Sequence, residues 1–286
     1  MRRNNNVRRV VVPLLLIFFI LIIISCILFL WYTLSGNYIR IGNVDDSAEN
    51  VATVDAANSD IVIVNGIVVG AHNNGKWISS QKFYEANSNK SDIEVKVFGT
   101  NTQYGKYKTA SIKRHNNSVI YTTLAKEGML NNYIAIAAKD TNNVLPGMTK
   151  LETSKEDEDL VRKAIGSYKL INGSVKITEV YGTNINQVSD KIICATSKKA
   201  NLLGVYSAVV YVTNNEPYLV KYAYVRDTKQ SERWPVFSLQ FVMDLNSDLK
   251  PEIIIQETTG NDISYSVLEL RKDNAFYEVL RTTVEI

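Results

Sequence analysis

The stretch Ile61-Val62-Ile63-Val64-Asn65-Gly66-Ile67-Val68-Val69-Gly70-Ala71 decides the fold class. Two β-branched runs flank an Asn-Gly pair. A two-residue type I′ turn needs positive φ at both central residues, which Asn and Gly tolerate best, so this stretch predicts a β-hairpin. Asn73-Asn74-Gly75 predicts a second tight turn before Lys76-Trp77-Ile78. Ser79–Glu85 then reads as a short helix with a serine cap. Further strands are expected at Ile93–Phe98, Tyr107–Ile112, Val119–Leu124 and Tyr133–Ala138. Residues 59–141 thus read as a small β-rich domain, and 142–150, with Pro146-Gly147, as the loop that follows it.

Toward the C-terminus a helix comes first. Thr153 and Glu156 have capping-box spacing, and Leu160, Val161, Ala164, Ile165 and Tyr168 share one helical face. The acidic run Glu156–Asp159 suits the positive end of that helix. Strands then follow in series: Val175–Tyr181, Lys191–Ser197, Val205–Thr213, Tyr218–Asp227, Val236–Asp244, Glu252–Glu257, Tyr265–Arg271 and Phe276–Val284. Short links argue for antiparallel pairing, so residues 151–286 read as a sheet packed on one leading helix. Strict alternation places Tyr218, Tyr222 and Tyr224 on one face and Leu219, Ala223 and Val225 on the other. The fold class is α+β and β-rich: two mostly antiparallel β modules after an N-terminal transmembrane helix.

That helix is the reading of Val10–Leu34, which contains no charged residue. Its 25 residues, at about 1.5 Å each, span a hydrocarbon core of about 30 Å with some tilt. Arg2, Arg3, Arg8 and Arg9 precede it, and the first acids, Asp45 and Asp46, come after it. The positive-inside rule puts residues 1–9 in the cytoplasm and the bulk outside, with Trp31 and Tyr32 at the outer interface. Residues 35–58 read as a polar linker. An alternative is a lipoprotein, since Ile23-Ile24-Ser25-Cys26 resembles a lipobox with Cys26 as the lipidated residue. Either way the body is tethered outside the membrane by its N-terminus.

The chain has 286 residues and a net charge of +3, all of it from the N-terminal arginines. Residues 35–286 hold 28 basic against 29 acidic side chains, which argues against a nucleic-acid partner. Two histidines and Cys194, the one cysteine outside the apolar run, do not make a usual zinc site. Cys194 lies in an apolar strand, His72 and His115 lie in polar segments that read as solvated turns, and Trp77 and Trp234 read as core residues rather than sugar-stacking platforms.

One constellation could carry chemistry. Asp244-Leu245-Asn246-Ser247-Asp248-Leu249-Lys250-Pro251-Glu252 has oxygen donors at positions 1, 3, 5 and 9, with a backbone carbonyl available at 7. A hard cation such as Ca²⁺ takes six to eight oxygens, which alternate residues of a tight loop can supply. With Phe241-Val242-Met243 before it and Ile253-Ile254-Ile255 after it, the stretch resembles the calcium loops of FG-GAP and VCBS-type repeats. The hairpin at Ser266–Leu270 and Phe276–Leu280 is similar to the rest of such a unit. The resemblance implies Ca²⁺ held by Asp244, Asn246, Asp248, Glu252 and the Lys250 carbonyl. It departs from the pattern at the sixth position, where Leu249 stands in place of Gly. One copy implies a single blade-like element, not a propeller. The functional expectation is a single-pass, membrane-anchored extracytoplasmic module, non-catalytic, that binds a protein or glycan and is stabilised by calcium. The alternative is an extracytoplasmic hydrolase of cell-wall or glycan substrates.

Overall fold

In the computed structural model the described residues are 38–41, 43–44, 59–88, 90–100, 102–115, 119–125, 132–137, 147–167, 174–186, 189–197, 205–225, 234–246, 248–271 and 274–285. The expected transmembrane segment 10–34 lies outside them. Among the described residues no helix is long and apolar enough to cross a membrane. Two compact units divide the chain, residues 1–39 and 40–286. The strand β1 (Tyr38–Ile41) straddles their boundary, and β2 (Asn43–Val44) belongs to the larger unit. The stretch read as a linker therefore contains strands.

The first sheet begins with the expected hairpin, β3 (Asp60–Val64) and β4 (Ile67–Asn73). Asn65 and Gly66 take φ of 49° and 81°, as a type I′ turn requires. Asn74 and Gly75 make the same turn into β5 (Lys76–Ser79). Ser79 caps α1 (Ser80–Asn87), its hydroxyl accepting the Lys82 N–H. Next come β6 (Glu94–Phe98), β7 (Gln103–Thr109), β8 (Lys113–His115), β9 (Val119–Tyr121), β10 (Leu124–Ala125) and β11 (Ile134–Ala137). The sheet runs β10-β7-β6-β11-β3-β4-β9-β8, with β5 on β4.

The second sheet is a meander of β12 (Met148–Lys150), β13 (Val175–Thr183), β14 (Asp190–Ser197), β15 (Val205–Thr213) and β16 (Glu216–Val225). Its helix α2 (Lys155–Ser167) interrupts β12 and β13. The cap sits one residue beyond the expected Thr153–Glu156 pair. The Ser154 hydroxyl accepts the Asp157 N–H, while the Asp157 carboxylate accepts both the Ser154 N–H and its O–H. Asp157 is buried and takes a 2.6 Å ion pair from Lys191, a tie to β14 beyond simple helix-end electrostatics. Asn214 and Asn215, both at positive φ, turn β15 into β16. The expected face of Tyr218, Tyr222 and Tyr224 is broken by a β-bulge. Val209 pairs with Lys221 but Val210 pairs with Leu219, leaving Val220 as the extra residue. Alternation flips there, so Tyr222 and Tyr224 face α2 while Tyr218 faces the opposite way.

The third sheet comprises β17 (Val236–Met243), β18 (Glu252–Thr259), β19 (Asp262–Leu270) and β20 (Phe276–Glu285), all antiparallel. β2 adds to β20 in parallel, Asn43 opposite Tyr277 and Val44 opposite Glu278. The segment expected as one sheet thus builds two. The described chain is β-rich with two helices, and its long pairings are antiparallel.

The cores explain the division. One core joins α1, through Phe83, to the first sheet, and another joins α2, through Leu160, Val161, Ala164 and Ile165, to the second. The third sheet lies between the other two. Phe241, Met243, Ile254 and Val267 pack on Val62, Val69 and Ile136, while Leu239, Val242, Ile253 and Ile255 pack on Cys194, Val209 and Tyr211. A sheet covered on both faces reads as a continuous apolar run, and Ile253-Ile254-Ile255 is that run.

Gly70 marks a close approach of the first and third sheets. A Cβ there would meet the Ile78 carbonyl at 2.5 Å and the Leu280 methyls at 2.7 Å. Gly70→Ala is expected to cost about 1–3 kcal/mol, read as a lower urea midpoint. Burial raises the Asp157 pKa, but the hydrogen bonds from Lys191 and Ser154 outweigh it and hold the carboxyl below its ordinary value. Its stabilisation is therefore complete above about pH 4 and is lost as pH falls through the lower, folded-state value. Asp157→Asn should be less stable than wild type by about 1–3 kcal/mol at neutral pH. The gap should close in acid when both are melted across pH.

Candidate functional site

The acidic loop joins β17 to β18. Asp244 ends the apolar strand and turns its carboxylate back over the loop, where Oδ1 accepts the Asp248 N–H at 3.2 Å and Oδ2 accepts the Leu249 N–H at 2.9 Å. Asn246 Oδ1 accepts the Asp248 N–H as well, and Asp248 Oδ1 accepts the Lys250 N–H. These bonds wind the loop tightly enough that Leu249 sits at φ 68°. A leucine pays steric energy there that glycine would not. Its side chain finds no cover, being 88% exposed.

Glu252 lies beneath the loop. It is fully buried, and its Oε2 accepts the Leu245 N–H at 2.7 Å. Its Oε1 is buried with no hydrogen-bond partner. Burial is the first cause that pushes its pKa well up, and the charges of Asp248, Asp244 and Glu269 add to it against the Leu245 N–H. The structure thus brings Asp244, Asn246 and Asp248 into one hydrogen-bonded turn, with Glu252 under it and Lys250 at its exit. Among the described residues no three Asp, Glu, His or Cys side chains group as a metal cluster.

A second polar cluster lies between the second and third sheets, where the sequence reading placed nothing. Lys221 Nζ contacts Glu278 Oε2 at 2.5 Å and Ser266 Oγ at 2.7 Å. Arg281 reaches Glu278 Oε2 at 3.6 Å and Glu257 Oε2 at 3.1 Å. The signal available was Lys221 itself, the one charge within the otherwise apolar and aromatic run Tyr218–Val225.

No known family matches this chain, and neither a curated protein nor a solved structure matches it.

The remaining sequence candidates have structural surroundings. Cys194 is wholly buried, and burial pushes its thiol far up, which leaves it inert as a nucleophile. His72 is not in a turn. It stands in β4, its ring 5.0 Å from Trp77 and Nδ1 3.9 Å from the Asp60 carboxylate. Strand β4 runs longer than the sequence break suggests because it pairs with both β3 and β5. Trp77 is a core residue, and its Nε1 donates to Glu269 Oε2 at 3.0 Å. His115 is exposed, at the end of β8 rather than in a turn, and Trp234 is half-buried.

The strain at Leu249 is measurable. A left-handed leucine costs about 1–2 kcal/mol, whereas glycine gives back about 0.5–1 kcal/mol through the freer unfolded chain. Leu249 loses no burial on truncation, so Leu249→Gly should raise stability by about 0.5–1 kcal/mol in denaturant melts.

Proposed function

We propose that the chain is a membrane-anchored, extracytoplasmic β-rich module that works by binding, with a calcium ion holding the Asp244–Glu252 loop. The observation that carries the calcium reading is the bare Glu252 Oε1. A buried carboxylate oxygen without a donor is costly, and a cation or a proton relieves that cost. Asp244, Asn246, Asp248 and Glu252, with the Lys250 carbonyl, are the oxygens available to a hard cation. The positive φ at Leu249 supports the same reading, because the calcium loops that this stretch resembles carry glycine at that place. When bound, calcium supplies positive charge against three carboxylates and ties the β17–β18 turn to the sheet.

The anchor rests on the uncharged run Val10–Leu34 and on the four arginines before it. An exported body leaves the exposed loop available to an extracellular protein or glycan.

Two measurements test this. Melting of the purified full chain with calcium at about 100 times its Kd should show about 2.7 kcal/mol of added stability, absent with chelator. An Asp244→Ala/Asp248→Ala chain should lose the response, and a wild-type chain that melts identically with and without calcium would sink the calcium reading. For the anchor, protease added outside intact cells should degrade the body, and Cys26→Ser should stay in the membrane fraction. A mature chain whose first residue is a lipidated Cys26 would favour the lipoprotein instead.

A further inference from the structure

Two β-bulges turn three charged side chains into the space between the second and third sheets, beside a fourth, Glu257 of β18. In β16 the extra residue Val220 leaves Lys221 facing the third sheet. In β20 the register shifts at Val279, so Glu278 pairs with Leu268 and Leu280 with Val267. Glu278 and Arg281, three residues apart, then face the same way. Lys221 is 1% exposed and Glu278 12%. Glu257 and Ser266 are buried beside them, and the Phe237 ring lies 6.0 Å from Lys221 Nζ.

An ion pair is an expensive tie in such a place, because desolvation consumes much of the Coulombic gain. Three other lysine–carboxylate pairs of the molecule differ from it. Lys106–Glu94 and Lys163–Glu216 are exposed on both sides, and Lys191 of the Lys191–Asp157 pair is partly open to solvent. Lys221–Glu278 alone among these four has its amine sealed from water, with a second cation on the same carboxylate.

We propose that Lys221 and Glu278 form a self-modification site, joined after folding by an amide bond between Lys221 Nζ and Glu278 Cδ. A proton first passes from the ammonium to Glu278 across the 2.5 Å contact. The neutral amine then attacks Cδ, the C–N bond forms and the Cδ–Oε2 bond breaks. The departing oxygen leaves as water with two of the three ammonium protons, and the third stays on the amide nitrogen. Ammonium and carboxylate thus give amide and one water, with no oxidant, cofactor or leaving group from elsewhere.

The surroundings supply what this step needs. Burial pushes the Lys221 pKa down, against the pull of Glu278, which favours the nucleophilic amine. Ser266 Oγ, 2.7 Å from Nζ, orients it. Arg281, 3.6 Å from Glu278 Oε2, places positive charge beside the oxygen that departs and so eases the breaking of its bond to Cδ. Glu257 holds Arg281 in place through its own ion pair. Lys221 and Arg281 also keep the resting Glu278 carboxyl below its ordinary value despite burial. The neutral pair is therefore a minor form, and the bond forms slowly, once per molecule.

Intact mass of the denatured, purified full chain tests this directly. The expected wild-type mass is short of the sequence mass by one water. Proteolysis should give a branched peptide linking the Lys221 segment to the Glu278 segment, with no tryptic cleavage after Lys221. Lys221→Arg and Glu278→Ala should each restore the full mass. A wild-type chain of full mass, a deficit mapped to other residues, or a deficit retained by either variant would overturn the proposal. The wild-type reading needs no variant to fold.

Discussion

The structure depends on the third sheet having no solvent face. Its four long strands are covered on one side by the first sheet and on the other by the second, and each of those carries a helix on its far side. Five layers result, α1, first sheet, third sheet, second sheet and α2, where most domains have two or three. A central antiparallel sheet must be apolar on both faces, which is why β17 and β18 lack polar alternation over Phe241–Met243 and Ile253–Ile255. It also means that several polar groups on that sheet find their partners across a layer. Trp77–Glu269, Asn65–Tyr265 and Ser80–Thr282 do so on one side, and the Lys221 cluster does so on the other.

Bulges are what make those partnerships geometrically possible. Strict pleating would give Lys221 the same face as Leu219 and would separate Glu278 from Arg281. One extra residue in each of two strands turns the charges toward each other. The same kind of local irregularity governs the acidic loop, where Asp244 draws the Leu249 N–H inward and forces a leucine into a backbone region that suits glycine.

Local chemistry was legible in the sequence wherever a few neighbouring residues decide the outcome. Asn65-Gly66, Asn74-Gly75 and Asn214-Asn215 name their turns because their side chains tolerate positive φ. Ser79 names its helix, and the four C-terminal strands fall within a few residues of their observed ends. The cap of α2 slipped by one position because Thr153–Glu156 and Ser154–Asp157 have the same spacing, and only the latter acid is buried against Lys191. The number of sheets was not legible, since meander strands read alike whether they continue one sheet or begin another. The Ile253–Ile255 run was the available clue to a covered sheet. The faces of Tyr218 and Lys221 were hidden because a bulge leaves no mark in composition. Of the acidic loop, the donor spacing was legible, but the burial of Glu252 was not, because burial depends on packing from residues distant in the chain.

The parallel pairing of Asn43–Val44 with β20 has a mechanical consequence. Tension that reaches β2 is passed laterally through this short ladder to β20, loading it in shear. The ladder has only two residue pairs, so it acts as a fuse that yields before the central sheet is disturbed. Val44 pairs with Glu278, the residue in contact with Lys221 across the layer. Load that the fuse transmits is therefore delivered at a point on the strand that is fastened to the second sheet, and is shared between two layers instead of peeling one strand away.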